Sequence, residues 1–167
     1  MKHNMPAIDP AVPQVMAILN VTPDSFYAGS RTPDGDAVAR RVREALDEGA
    51  SIIDVGGYSS RPGADEVSPD EEWRRVRLGL AAVRQADPDV AVSVDTFRSG
   101  VVRRAVAEFG PVIVNDISAG ELDPDMLRAV AELDLTYIAM HMKGDPKTMQ
   151  SLTDYRRDIV TEGVGYF

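Results

Sequence analysis

Residues 90–116 read VAVSVDTFRSGVVRRAVAEFGPVIVND. The apolar run VAVSV stops at Asp95. A helical stretch follows, with Val101, Ala105, Val106 and Phe109 on one stripe, and Gly110 ends it. A second β-branched run, PVIVN, then stops at Asn115. A switch of period from two to 3.6 and back marks a strand–helix–strand unit. Both runs are nearly continuous in hydrophobicity, as parallel strands covered on both faces are.

The alternation extends in both directions. VMAIL at 15–19, SIIDV at 51–55 and LTYIAM at 135–140 predict three more strands. Three further helical stripes lie between them: Val38, Val42, Ala45 and Leu46; Trp73, Val76, Leu80 and Val83; Met126, Leu127, Val130 and Leu133. Ser68-Pro69-Asp70-Glu71 predicts a capping box, with Pro69 at the first helical position and Glu71 reaching back. Asp123-Pro124 repeats the cap-then-proline start. Gly49 and Gly110 stand where left-handed C-terminal residues belong. The pattern amounts to four βα units, a fifth strand and, after Thr153, the start of a fifth helix. It predicts one domain over 1–167, with 1–14 as an N-terminal extension.

Composition narrows the function classes. The chain has 167 residues, 44% of them hydrophobic, enough for one core. Its 18 Lys and Arg against 27 Asp and Glu leave a net charge of −9, which argues against nucleic acid as a partner. The absence of cysteine excludes disulfides, thiolate catalysis and Cys-based zinc sites. No stretch approaches the ~20 apolar residues of a membrane span, and residues 1–14 lack the apolar centre of a secretion signal. A soluble cytoplasmic domain is the expectation.

Strict βα alternation leaves a doubly wound sheet or a (β/α)8 barrel. The first βα turn, NVTPDSFYAGS at 20–30, has neither GxGxxG nor GxxxxGK. Instead, polar residues close nearly every strand: Asn20, Asp54 followed by Gly56-Gly57, Asp95, Asn115-Asp116, and His141. Such ends form the catalytic face of a barrel. Because a complete barrel takes roughly 250 residues, the expected fold is α/β, a partial TIM barrel of five strands and four to five helices. Its open edge predicts association or poor solubility.

Each strand end has a structural and a chemical alternative. Asn20 either satisfies loop backbone groups or offers a neutral oxygen to a hard cation such as Mg²⁺, which keeps waters and shares phosphate oxygens. Gly56-Gly57-Tyr58-Ser59-Ser60-Arg61-Pro62-Gly63-Ala64 is either a solvated turn or a loop whose hydroxyls and Arg fork suit an anion or an aromatic ring. Asp95 and Asn115 each suit a helix cap. Together they suit a 2-amino-4-oxo pyrimidine edge, because a carboxylate accepts two N–H bonds while an amide both donates and accepts. His141 reads as a hydrogen-bonded barrel residue, and Met140 and Met142 as core or pocket lining.

MAILNVTPDSF at 16–26, IIDVGGYSSRPGA at 52–64, SVDTFRSGVVRRA at 93–105, VNDISAG at 114–120 and MHMKGDPKTMQ at 140–150 together resemble the dihydropteroate synthase family of folate biosynthesis, the sulfonamide target. Ser60 stands where the family often has Thr, with the hydroxyl kept. The resemblance implies displacement of diphosphate from 6-hydroxymethyl-7,8-dihydropterin diphosphate by 4-aminobenzoate. It implies Asn20 on Mg²⁺, Asp95 and Asn115 on the pterin, and Ser60 on the diphosphate-bearing substrate. Phe26, Arg61 and Pro62 would close over 4-aminobenzoate, and Met140 would line the pocket. Asp95, Asn115 and Arg61 are the residues it assigns to catalysis. The family's later Asp-Pro-Gly strand, Ser-Arg-Lys stretch and Arg-x-His ending do not occur here, so the expectation is a fragment inactive alone, with homodimerisation in the full-length protein. The alternatives are a non-catalytic pterin-binding remnant and a methyltetrahydrofolate methyltransferase-like protein.

Overall fold

The computed structural model of the chain describes residues 11–22, 35–59, 66–146 and 148–167. Its elements are β1 (Met16–Asn20), α1 (Gly35–Asp47), β2 (Ile52–Gly56), α2 (Pro69–Ala86), β3 (Ala91–Asp95), α3 (Ser99–Phe109), β4 (Ile113–Asp116), α4 (Met126–Glu132), β5 (Tyr137–Ala139) and α5 (Ile159–Tyr166). The strands form one sheet in the order β1-β2-β3-β4-β5, every pair parallel. A doubly wound sheet reverses its strand order at a switch point. This sheet runs in one direction, as a barrel wall does.

Side-chain alternation divides the sheet into two faces. Leu19, Ile53, Val55, Val92, Val94 and Val112 pack outward against Val38, Val42, Val76, Leu80, Val83, Val101 and Ala105 of α1–α3, and Val114 meets Val102 and Met126. The inner face carries a small cluster of Ile52, Ala91 and Ile113, with Met16 and Ile138 against it. Higher on that face, Ile18 is 64% exposed. Among the described residues no helix is long and apolar enough to cross a membrane.

Several local expectations need correction. The strands start one or two residues later than the apolar runs, while Asn20 and Asp95 close β1 and β3 as expected and Asn115 lies one residue from the end of β4. Ser68 Oγ accepts from Glu71 N at 3.2 Å, but the Glu71 carboxylate turns to Arg74 and Arg75 at 2.7 Å, since a guanidinium is the stronger partner. Asp123 does not begin α4. Its Oδ2 accepts from Ser99 N at 2.7 Å and caps α3, whose own N-cap, Arg98, makes no side-chain cap bond. In α4, Leu127 is exposed and Ala129 buried. The fifth helix starts at Ile159, where Asp158 accepts from Thr161 N at 3.0 Å.

The wall is tightest where α2 crosses β1 and β2. A Cβ on Gly79 would stand 2.5 Å from Val55 Cγ1 and 2.9 Å from Val21 Cγ2, and both valines are fully buried. Gly79→Ala should therefore lower the thermal midpoint, overpacking of ~1–3 kcal/mol exceeding the ~1 kcal/mol of helix propensity gained. Gly100→Ala in α3, where nothing lies within 4 Å of the added methyl, should raise it. Equal shifts in melts followed by circular dichroism would contradict this packing.

Candidate functional site

In a parallel sheet, register partners point to the same face. Asn20, Gly56, Asp95, Asn115 and Ile138 are successive partners across all five strands. They form a row on the inner face at the strands' C-terminal ends. The row below holds Ile18, Asp54, Ser93 and Ile113. Gly56 leaves the upper row open at its second place. A Cβ there would stand 3.1 Å from Asn20 Oδ1 and 3.4 Å from Asp95 Oδ2, so the absent side chain keeps space between an amide oxygen and a carboxylate. Asn115 Nδ2 donates to Asp54 Oδ2 at 3.0 Å. Asp54 Oδ1 and Ser93 Oγ are buried without a well-formed hydrogen bond.

The patch is crowded with acids. Burial, then the neighbouring Asp54, Glu72 and Asp116, push the Asp95 carboxyl up to about 7. Burial also pushes Asp54 up, tempered by the adjoining Ser93 and Asn115 side chains. Glu72, fully buried on α2, has a cationic partner: Arg98 Nη1 donates to it at 2.5 Å and Thr96 Oγ1 at 2.5 Å. Arg98 Nη2 also donates to Val67 O at 2.9 Å, and the guanidinium lies 5.3 Å from the Tyr58 ring centroid. Arg75 Nη1 donates to Gly57 O at 3.2 Å. One buried ion pair thus ties both described ends of the β2–α2 connection to α2 and to the residue after Asp95.

Asp116 faces outward and organises the turn after β4. Its Oδ1 accepts from Ser118 N and Oγ, and its Oδ2 from Gly120 N and Tyr137 Oη, all at 2.7–2.8 Å. Burial and the Asp116 carboxylate push the Tyr137 phenol up. The turn carries positive φ at Ala119 and Gly120, and the hub stabilises that strain.

Of the residues singled out from sequence, Asn20, Asp95 and Asn115 come together on the rim. Met140 lies just beyond β5, 39% exposed, and its N–H donates to Asp116 O at 3.0 Å. Phe26, Ser60, Arg61 and Pro62 lie outside the described residues. Asp54 sits at the middle of β2, one row below the rim, rather than at a strand end. His141 is held by stacking on Tyr166, 4.4 Å between centroids, while its buried Nδ1 makes no hydrogen bond. A cleft of about 620 Å³ beside it, lined by Lys143, Tyr155 and Arg156, does not include the Asp95–Asn115 row. Sequence reasoning missed Glu72 and Arg98. The signal was present, since Glu72 falls on the apolar stripe of Val76, Leu80 and Val83.

Asn20 offers a neutral oxygen beside the Gly56 gap. That suits Mg²⁺, which retains waters and shares phosphate oxygens.

Comparison with known proteins gives one consistent result. Residues 16–167 match the model of the pterin binding enzyme family. The chain is 46% identical over 152 residues to the mitochondrial folate synthesis bifunctional protein of Arabidopsis thaliana, covering 90% of this chain and 27% of that one. It is 43% identical to dihydropteroate synthase of Escherichia coli, covering 96% and 56% respectively. The crystal structure of Yersinia pestis dihydropteroate synthase with a sulfonamide drug complex superimposes with a TM-score of 0.82 at 40% identity, over 96% of this chain and 57% of that one. The chain therefore spans little more than half the length of the bacterial relatives.

The raised Asp95 carboxyl has a consequence for stability. Its ordinary value of 3.8 applies unfolded and about 7 folded, so the neutral form favours folding. That contribution is complete below pH ~4 and is lost as pH rises through about 7. The thermal midpoint should fall between pH 5 and pH 8, and Asp95→Asn should remove most of that fall, with Asp54 supplying the remainder. An unaltered pH slope in Asp95→Asn would show that Asp95 is not held as described.

Proposed function

The chain belongs to the pterin binding enzyme family, and on that premise we propose that it is the pterin-holding portion of a dihydropteroate synthase. The observation that carries this is the juxtaposition of Asp95 and Asn115 as register partners on the open rim. The reaction joins 6-hydroxymethyl-7,8-dihydropterin diphosphate to 4-aminobenzoate: the bond from the exocyclic CH₂ to diphosphate oxygen breaks, and a bond to the amine nitrogen forms. The amine loses a proton, and diphosphate leaves.

Catalysis then consists of holding the ring and stabilising the leaving group. Asp95 accepts N–H bonds from the amino-heterocycle, and charge on Asp95 favours positive charge spreading into the ring. Asn115 pairs the adjoining edge. Ser60 holds the diphosphate-bearing substrate. Phe26, Arg61 and Pro62 cover 4-aminobenzoate, Arg61 facing its carboxylate, and Met140 walls the pocket. Asn20 would hold Mg²⁺, whose role is to neutralise charge on the departing diphosphate. The same proposal takes in sulfonamide binding at the 4-aminobenzoate subsite, a cytoplasmic location and a homodimer in the complete protein. The sulfonamide drug in the Yersinia pestis structure supports the first of these.

Two measurements test the assignment. Asp95→Asn should weaken pterin diphosphate binding by about 2–4 kcal/mol, because it leaves a buried amino edge mispaired; unchanged calorimetric affinity rules the role out. In the complete reading frame, Arg61→Ala should raise the 4-aminobenzoate KM at least tenfold more than it weakens pterin binding. Equal losses for both substrates would contradict its place.

A further inference from the structure

Asp54 is 3% exposed and lies one row below the rim, on the same inner face as Asp95 and Asn115. Its bond from Asn115 Nδ2, at 3.0 Å, crosses the whole width of β3. A carboxylate only accepts, whereas an amide has a donating and an accepting end. A flipped Asn115 amide would set its carbonyl oxygen against the Asp54 oxygen, two acceptors in a buried place. That arrangement is costly. The unflipped amide keeps a second N–H and its carbonyl oxygen for a ligand, next to the Asp95 carboxylate. Below them, Asp54 and Ser93 adjoin each other and are buried.

We propose that Asp54 is a positioning residue of the pterin site, locking the Asn115 amide in the one orientation that presents an N–H and a carbonyl oxygen beside the Asp95 carboxylate. The inference rests on the pterin reading above. It assigns Asp54 no contact with the reacting atoms.

The test is a double-mutant cycle on binding of 6-hydroxymethylpterin, followed through the quenching of its fluorescence by the folded chain. Asp54→Asn is close in shape but holds the neighbouring amide in either orientation. It should weaken binding about tenfold, and less than about twofold when Asn115→Ala is already present. No effect of Asp54→Asn alone, or an equal loss in both backgrounds, overturns the proposal. Failure of the unsubstituted chain to bind the pterin overturns the parent reading, an outcome distinct from a chain that binds and is indifferent to Asp54. A second measurement needs no variant: in ¹⁵N–¹H spectra of the unsubstituted chain, one Asn115 side-chain amide proton should be shifted downfield and slow to exchange. A free-rotating amide pair there overturns the proposal as well.

Discussion

Parallel pairing in chain order is the constraint on which the rest of this structure depends. Each βα unit returns the chain to the next strand in the same direction, as right-handed crossovers do, so every strand ends on the same side of the sheet. A residue's distance from the end of its strand then decides its height in the site. Asn20, Gly56, Asp95 and Asn115 share one height, although ninety-five positions separate the first from the last in sequence.

That arrangement concentrates charge. Asp54, Asp95, Asp116 and Glu72 all act on one patch, and among the described residues the carboxylate–cation pairing there is Glu72 with Arg98. A buried ion pair is expensive to form and costly to break from one side. Here it ties α2 to the residue following Asp95 and to the connection after β2. Asp95 lacks such a partner and shifts upward. A group carrying N–H donors placed against this row would relieve that unfavourable field.

Much of the fold was legible because hydrophobic period and capping chemistry are local. The five apolar runs locate the strands, and the runs of β2, β3 and β4 and the stripes of α1, α2 and α3 match the burial pattern, whereas β1 and β5 are only partly buried. Gly49 and Gly110 take the positive φ expected of them. The Glu71 carboxylate is taken by Arg74 and Arg75 within the helix. Asp123 keeps its local bond from Asp125 N through Oδ1 and offers Oδ2 to the bare start of α3 across the fold. Leu127 follows the helical period but is exposed, while Ala129 is buried.

The sequence by itself determined the order and type of the elements and the presence of a polar residue near each strand end, since both follow from neighbours within a few positions. Its five motifs also carried the family likeness. Only the tertiary structure decided that Asp54 lies a row beneath Asn115 and holds its nitrogen, that Glu72 is buried against Arg98, and that Gly56 opens a gap between Asn20 and Asp95. Those relations depend on register between strands. Register is set by how the whole wall packs, and no window of the chain contains it.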